Sequence, residues 1–343
     1  MQNPNLNRVR LELARSLFLG EQFIKSKNEF KKVLSLNPPK KVIVNIKSFI
    51  EKIDRIIKEQ SYLELEISSS SLQKFKLKKD FVNLNFFGQS IPFKINKPEK
   101  KGEGLKIAGK LALPFLEKFD GSFWQESEIE LYRYEKEKFN FTKFDLWIPF
   151  KRRIQHHRYE FGPIYGFENK AMQSYQNNKG LKFQFRNLKQ KSNYETEISY
   201  KSISYSSSTF LEKAEESYFK QIFFPINSQY ISNYGIDFTN YKAKNQYDSY
   251  LSSSLKLKSK KIGNKKANFV SDLELRLLNF KDINPIFSNK RKDNILTYQM
   301  QLNSNLLRFK ILTISPQLKI IESHSSININ SYRDISLNFI ITR

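Results

Sequence analysis

The side chains able to do acid–base, nucleophilic or metal chemistry are few here, and their spacing is poor for it. His156 and His157 are adjacent, and neighbours on a strand point to opposite faces, so the two cannot share a metal ion; His324 has no partner pattern beside it. Cysteine is absent, which removes thiolate nucleophiles, disulfides and cysteine metal sites. The serine runs Ser68 to Ser71 and Ser206 to Ser208 lack a Gly-x-Ser-x-Gly elbow and read as turns or loops. Lys101-Gly102-Glu103-Gly104 lacks the strand, Gly-Lys-Ser/Thr ending and helix of a phosphate loop, and reads as a loop entering a strand. The basic run Lys258, Lys260, Lys261, Lys265 and Lys266 has no interleaved aromatic residues of an RNA-binding kind and reads as a solvated turn. Asn140-Phe141-Thr142 is a formal glycosylation sequon inside a predicted strand and is given no role. The expectation is a protein that is not an enzyme, with no catalytic residue, no cofactor and no metal.

Charge is the loudest compositional feature: 343 residues carry 59 Lys plus Arg against 34 Asp plus Glu, a net charge of +25. Such an excess suits an anionic partner. Lysines are spread over every segment, however, and Asn, Ile, Phe and Tyr are abundant together, which reads as compositional drift more than as a selected basic surface. The first residues, MQNPNLNRVR, form no apolar leader, and no run of 18 or more apolar residues exists. The chain therefore reads as cytosolic, or as a mature form or fragment lacking its signal peptide.

Up to about residue 60 the apolar period is helical. Val9, Leu13 and Leu17 make one stripe with Leu11 and Phe18 beside it, ending near Gly20; a second helix runs from Phe23 to the stop at Asn37, Pro38 and Pro39. A third spans Lys40 to about Lys58, with Val42, Ile46, Phe49, Ile50, Ile53 and Ile57 on its inner face. The first pair matches the tetratricopeptide repeat (TPR), whose fixed positions Leu13, Ala14, Leu17, Ser26, Phe30, Val33 and Pro38 would occupy, although Arg10 stands where the repeat prefers an aromatic residue. A plain helical hairpin with a cap is the other reading. A solenoid needs several repeats to bury a core, so further repeats upstream, or support from the rest of the chain, are expected.

After Lys58 the period drops to two. Leu63, Leu65 and Ile67 alternate with Glu64, Glu66 and Ser68; Leu181, Phe183 and Phe185 alternate with Lys182, Gln184 and Arg186; Ile335, Leu337, Phe339 and Ile341 alternate with Asp334, Ser336 and Asn338. Charges along one face of nearly every strand suit a barrel with a wet lumen better than a sandwich core, though alternation alone leaves a soluble all-β protein open. The segmentation gives about 14 strands, near 62–69, 104–114, 120–135, 138–150, 154–166, 178–186, 190–204, 217–224, 228–241, 247–257, 267–280, 294–303, 308–321 and 332–343. Connections 70–103, 167–177, 206–216, 281–293 and 322–331 are expected to be long and on one side, with short turns opposite. Aromatic residues cluster at segment ends, as girdles at membrane interfaces do.

The stretches RVRLELARSLFLGEQF and NPPKKVIVNIKSFIEKI, leading into this alternating region, resemble the surface lipoprotein assembly modifier (Slam) family. Arg8, Arg10, Glu12, Ala14, Arg15, Pro38, Pro39, Phe49 and Ile53 carry the likeness; Ile91-Pro92-Phe93, Gly102 to Leu105 and Ser325 to Tyr332 add to it less specifically. The ending Ile340-Ile341-Thr342-Arg343 departs from the aromatic end usual in that family. The resemblance implies a mainly β fold: an outer-membrane β-barrel over 61–343 behind a TPR-like head over 1–60 lying in the periplasm. It implies export of client surface lipoproteins or related secreted proteins, with outer-membrane lipid and periplasmic chaperones as further partners and no nucleic acid. A porin or uptake channel with a helical segment, and a soluble basic scaffold, are the competing functional readings.

Overall fold

A computed structural model describes residues 4–68, 74–75, 81–86, 89–94, 103–118, 120–171, 173–189, 192–206, 213–225, 228–263, 267–304, 307–309, 312–327 and 330–342. Three helices come first: α1 (Pro4–Leu19), α2 (Phe23–Leu34) and α3 (Lys40–Glu59). Fourteen antiparallel strands then close into a barrel. They are β1 (Tyr62–Ser68), β2 (Gly104–Lys118), β3 (Gly121–Tyr134), β4 (Phe141–Trp147 and Phe150–Ile154), β5 (His157–Lys170), β6 (Gln173–Lys189) and β7 (Ser192–Tyr205), followed by β8 (Lys213–Phe224), β9 (Ile231–Ala243), β10 (Tyr250–Ser259), β11 (Ala267–Asn284), β12 (Asn289–Ser304), β13 (Leu312–Ser325) and β14 (Tyr332–Thr342). Closure is direct: β1 pairs with β14 through Leu65 opposite Ile341 and Ile67 opposite Phe339. A small separate hairpin pairs Phe81–Phe86 with Gln89–Lys94 and contains Ile91-Pro92-Phe93.

Each strand turns its apolar residues outward. Leu111, Phe161, Leu181, Phe238, Leu255, Leu275 and Leu296 are all exposed, whereas their strand neighbours Lys110, Glu160, Lys182, Asp237, Lys256, Glu274 and Thr297 are not. In water this arrangement would be inside out; in a bilayer it satisfies both solvents, and closure leaves no strand edge in hydrocarbon. Strand β4 breaks at Ile148-Pro149, where proline has no N–H for the ladder. Gly162 of β5 lies opposite, and a Cβ there would stand 2.0 Å from the Ile148 carbonyl oxygen, so only glycine admits the kink.

Two expected features differ. The connections drawn at 167–177 and 281–293 shrink because β5 and β6 run on to Lys170 and Gln173, and β11 and β12 to Asn284 and Asn289. Their turns use Ala171 and Ser288 at φ of 48° and 53°, left-handed conformations that give no Asn-Gly or Asp-Gly signal in sequence. Loop length therefore separates the two ends of the barrel less sharply than expected. Helix α1 also presents a different face: Leu11, Ala14 and Phe18 pack inward, while Val9 and Leu13 of the expected stripe are exposed. The cause is a close approach, with Ser26 Oγ of α2 donating 2.8 Å to the Ala14 carbonyl, which only a small residue at position 14 allows.

The faces can be checked by substitution. Leu275→Arg, mid-strand and outward, should destabilise the barrel by about 2–4 kcal/mol in urea unfolding from lipid vesicles, and Thr297→Lys, inward beside Glu274, by much less; equal losses would reverse the assignment.

Candidate functional site: a charged lumen with a helical head at its mouth

Inward side chains line the barrel with charge, and most of it is paired across strands. Glu126 of β3 is held by Lys110 of β2 at 2.6 Å and by Lys151 of β4 at 2.5 Å. Farther round, Lys182 meets Glu197 at 3.4 Å, Lys201 meets Glu216 at 3.4 Å, and Lys256 meets Asp237 at 2.7 Å and Glu274 at 3.8 Å. Arg186 and Glu195 pair between β6 and β7. Between these walls lies a cavity of about 390 Å³, bordered also by Tyr218, Thr239, Tyr250 and Ser252. Such a lumen is wet, and its walls neutralise themselves instead of presenting one sign of charge.

The three helices sit at the mouth bounded by the ends of β2 to β5. Only Gln60 and Ser61 separate α3 from β1, and Ser61 Oγ accepts the Ala112 N–H at 3.0 Å. Helix α2 starts with backbone donors that have no partner within the helix and no cap from its own N-cap side chain. The Glu117 carboxylate of β2 supplies one: the N–H groups of Ile24 and Lys25 donate to its two oxygens at 2.6 and 2.7 Å. An anion at a helix N-terminus satisfies orphan donors and the helix dipole together. Beside it, Phe23 meets the Trp124 ring edge-on at 6.2 Å, and Trp124 and Ala112 join the head's own core of Ala14, Phe30, Val33, Ile46 and Ile53.

Charged contacts complete the junction. Glu21, in the α1–α2 turn at φ 60°, reaches Arg153 and Arg158, each at 3.3 Å. Lys151, with its side chain only 3% exposed, lies 4.3 Å from the Trp124 ring centre and also donates to Gln60 Oε1 at 3.3 Å. The pocket around Lys151 is thus shared by β3, β4, β5 and the end of α3.

The family profile of the surface lipoprotein assembly modifiers matches residues 94–340, most of the strand region. The chain belongs to that family. No curated protein matches it. Among solved structures, the barrel is similar to OccAB4 of Acinetobacter baumannii (TM-score 0.44, 7% identity, 82% of this chain and 97% of that one) and to OccD3 of Pseudomonas aeruginosa (TM-score 0.40, 7% identity, 83% and 91%). Membership of that family, with the closed barrel, makes this chain an outer-membrane β-barrel with a role in lipoprotein assembly or translocation.

In this family member the residues singled out in the helices divide by burial. Ala14, Ser26, Phe30 and Val33 are buried, Leu17 and Pro38 are half-buried, and Leu13 is exposed. The isolated chemical groups stay apart: His156 lies in the turn between β4 and β5, not on a strand; His157 stacks on Phe185; and His324 pairs with Glu322 at 3.4 Å. Among the described residues no three His, Asp or Glu side chains gather into a metal-binding group. Lys258 pairs with Asp272 and Lys260 donates to the Ser228 carbonyl, while 264–266 lie outside the described residues, as do 69–71, 101–102, 207–208 and 343. The Asn140 side chain accepts the Tyr134 N–H and serves the turn.

Glu117, Trp124, Lys151, Arg153 and Arg158 were not singled out from sequence. One signal was available: the chain has two tryptophans, and both Trp124 and Trp147 fall on the charged face of their strands. Glu117→Ala should weaken head docking by about 1.5–3 kcal/mol, the range for hydrogen bonds to a charged group. In a Trp147→Phe background the emission of Trp124 should then shift to the red as Phe23 leaves it, with heat-modifiable gel mobility of the barrel unchanged.

Proposed function

We propose that this chain is a non-enzymatic translocator that assists the export and surface display of lipoproteins, or the secretion of related soluble proteins, across the outer membrane. Family membership supports the general role. The observation that carries the finer reading is the junction: a helical head held against the mouth of a wet lumen by a helix cap, an aromatic contact and paired charges. In this reading residues 1–60 form a TPR-like head domain in the periplasm and 61–343 the barrel domain. Of the repeat positions, Ala14, Leu17, Ser26, Phe30, Val33 and Pro38 act structurally, keeping the helices close enough for the head to hold its shape, while Leu13 faces outward from them.

The head delivers an incompletely folded client to the lumen beside it. Self-paired lumen charges suit passage, since a wall of one sign would retain segments of the other. Clients are surface lipoproteins or secreted proteins, and periplasmic chaperones would keep them unfolded before delivery.

The test uses an epitope-tagged reporter lipoprotein expressed with and without this chain, with protease added to intact cells. Protease-sensitive reporter should appear only with the chain present, and should fall several-fold with Phe23→Ala plus Glu117→Ala. Unchanged exposure on removing the chain, together with steady conductance in planar bilayers, would reject export in favour of a passive channel.

A further inference from the structure

The outer surface of the barrel is not uniformly greasy. Across β7 to β11 it contains a hollow of about 460 Å³ whose walls are Ile198, Phe219, Phe238 and Leu251. Toward the mouth opposite the head, the same hollow ends in the short polar side chains of Ser217, opposite Asn240 across β8 and β9, and of Asn279, which faces Leu251 across β10 and β11. Polar groups at this place on an outward face are costly in hydrocarbon and are expected only where a headgroup meets them.

Three lysines surround this polar end. Lys281, two residues beyond Asn279, donates through Nζ to Asn240 Oδ1 at 3.0 Å. Lys242 follows Asn240 on the same face of β9, and Lys292 stands opposite Asn279 on β12. Among the described residues two acids lie beside them: Glu215, opposite Lys242 and hydrogen-bonded to the Tyr200 hydroxyl, and Asp282, next to Lys281 in the chain, which accepts the Ile283 N–H. Apolar walls therefore lie below a hydrogen-bonding floor, and below a rim with more cations than anions.

From this arrangement we propose a binding site for an anionic, phosphate-bearing lipid, with an acyl chain laid over the outward face of Ile198, Phe219, Phe238 and Leu251 and the phosphate against Lys242, Lys281 and Lys292. A lipoprotein's own acyl anchor would suit the apolar part of the hollow but has no phosphate for the lysines, so charge complementarity favours the lipid. The site depends on the barrel lying in a membrane and not on the export reading; loss of reporter display would leave it standing.

Native mass spectrometry of the full chain released from micelles doped with phosphatidylglycerol, phosphatidylcholine or diacylglycerol tests it. Phosphatidylglycerol should be retained roughly tenfold over the other two, a modest effect for three lysines near a headgroup. The preference should vanish in Lys242→Gln, Lys281→Gln, Lys292→Gln with heat-modifiable mobility intact; should that variant fail to fold, Lys281→Gln alone should lower the preference several-fold. Equal retention of all three lipids, or a preference that survives neutralisation, overturns the proposal. Diacylglycerol held as well as phosphatidylglycerol also overturns it and assigns the hollow to an uncharged acyl anchor.

Discussion

Everything in this molecule depends on the pairing of β1 with β14. Hydrocarbon offers no hydrogen-bonding partner, so a sheet that crosses it must leave no edge, and the first and last strands have to find each other over the full length of the sequence. Once they do, the direction of every side chain follows. Alternation sends Leu65, Ile341 and Phe339 to lipid and gathers Glu64, Glu66 and Lys106 inside, where the lysine stands 3.9 Å from both glutamates. A lumen filled with carboxylates and ammonium groups is the other side of an apolar exterior, and cross-strand pairing makes it stable.

Closure also fixes the head. With two residues between α3 and β1, the helices cannot leave the rim where β1 begins, and β2 to β5 are the nearest wall. That wall departs locally from the barrel pattern: small Ala112, the ring of Trp124 and the carboxylate of Glu117 face inward where lumen charge would otherwise stand. Each answers a need of the helices, namely room for approach, an apolar partner for Phe23, and an acceptor for the unfilled donors of α2. Head and barrel are thus complementary through particular side chains, and their relation goes beyond tethering.

How much of this was legible in the sequence depended on the length of the correlation involved. Strand number, strand faces and the switch of period near residue 60 could be read, because alternation is local and repeats over many residues. The inner face of α3 could be read for the same reason, since Ile46 and Ile53 recur at helical spacing. The face of α1 could not: two apolar stripes compete, and contact between Ser26 and Ala14 on different helices decides between them. The tight turns at Ala171 and Ser288 lacked glycine. The junction residues were least legible: by simple alternation Glu117 belongs to the outward phase of Leu111, Leu113 and Phe115, and it turns inward only past the irregularity between Pro114 and Leu116, to meet a helix N-terminus 93 residues away.

The chain's net positive charge takes a different meaning once the fold is known. Among the described residues, lumen carboxylates are matched by neighbouring lysines and arginines, whereas the helices carry basic groups in excess of acidic ones. Uniform compositional drift would have left the lumen as basic as the rest; drift constrained by closure does not, because unpaired ammonium groups facing one another across the barrel repel, whereas a carboxylate between them favours their charged form. Basic residues are retained where water or headgroups receive them, as at Lys242, Lys281 and Lys292. The same composition that gives no clue to a partner when counted over the whole sequence becomes informative when sorted by the two faces of a closed sheet.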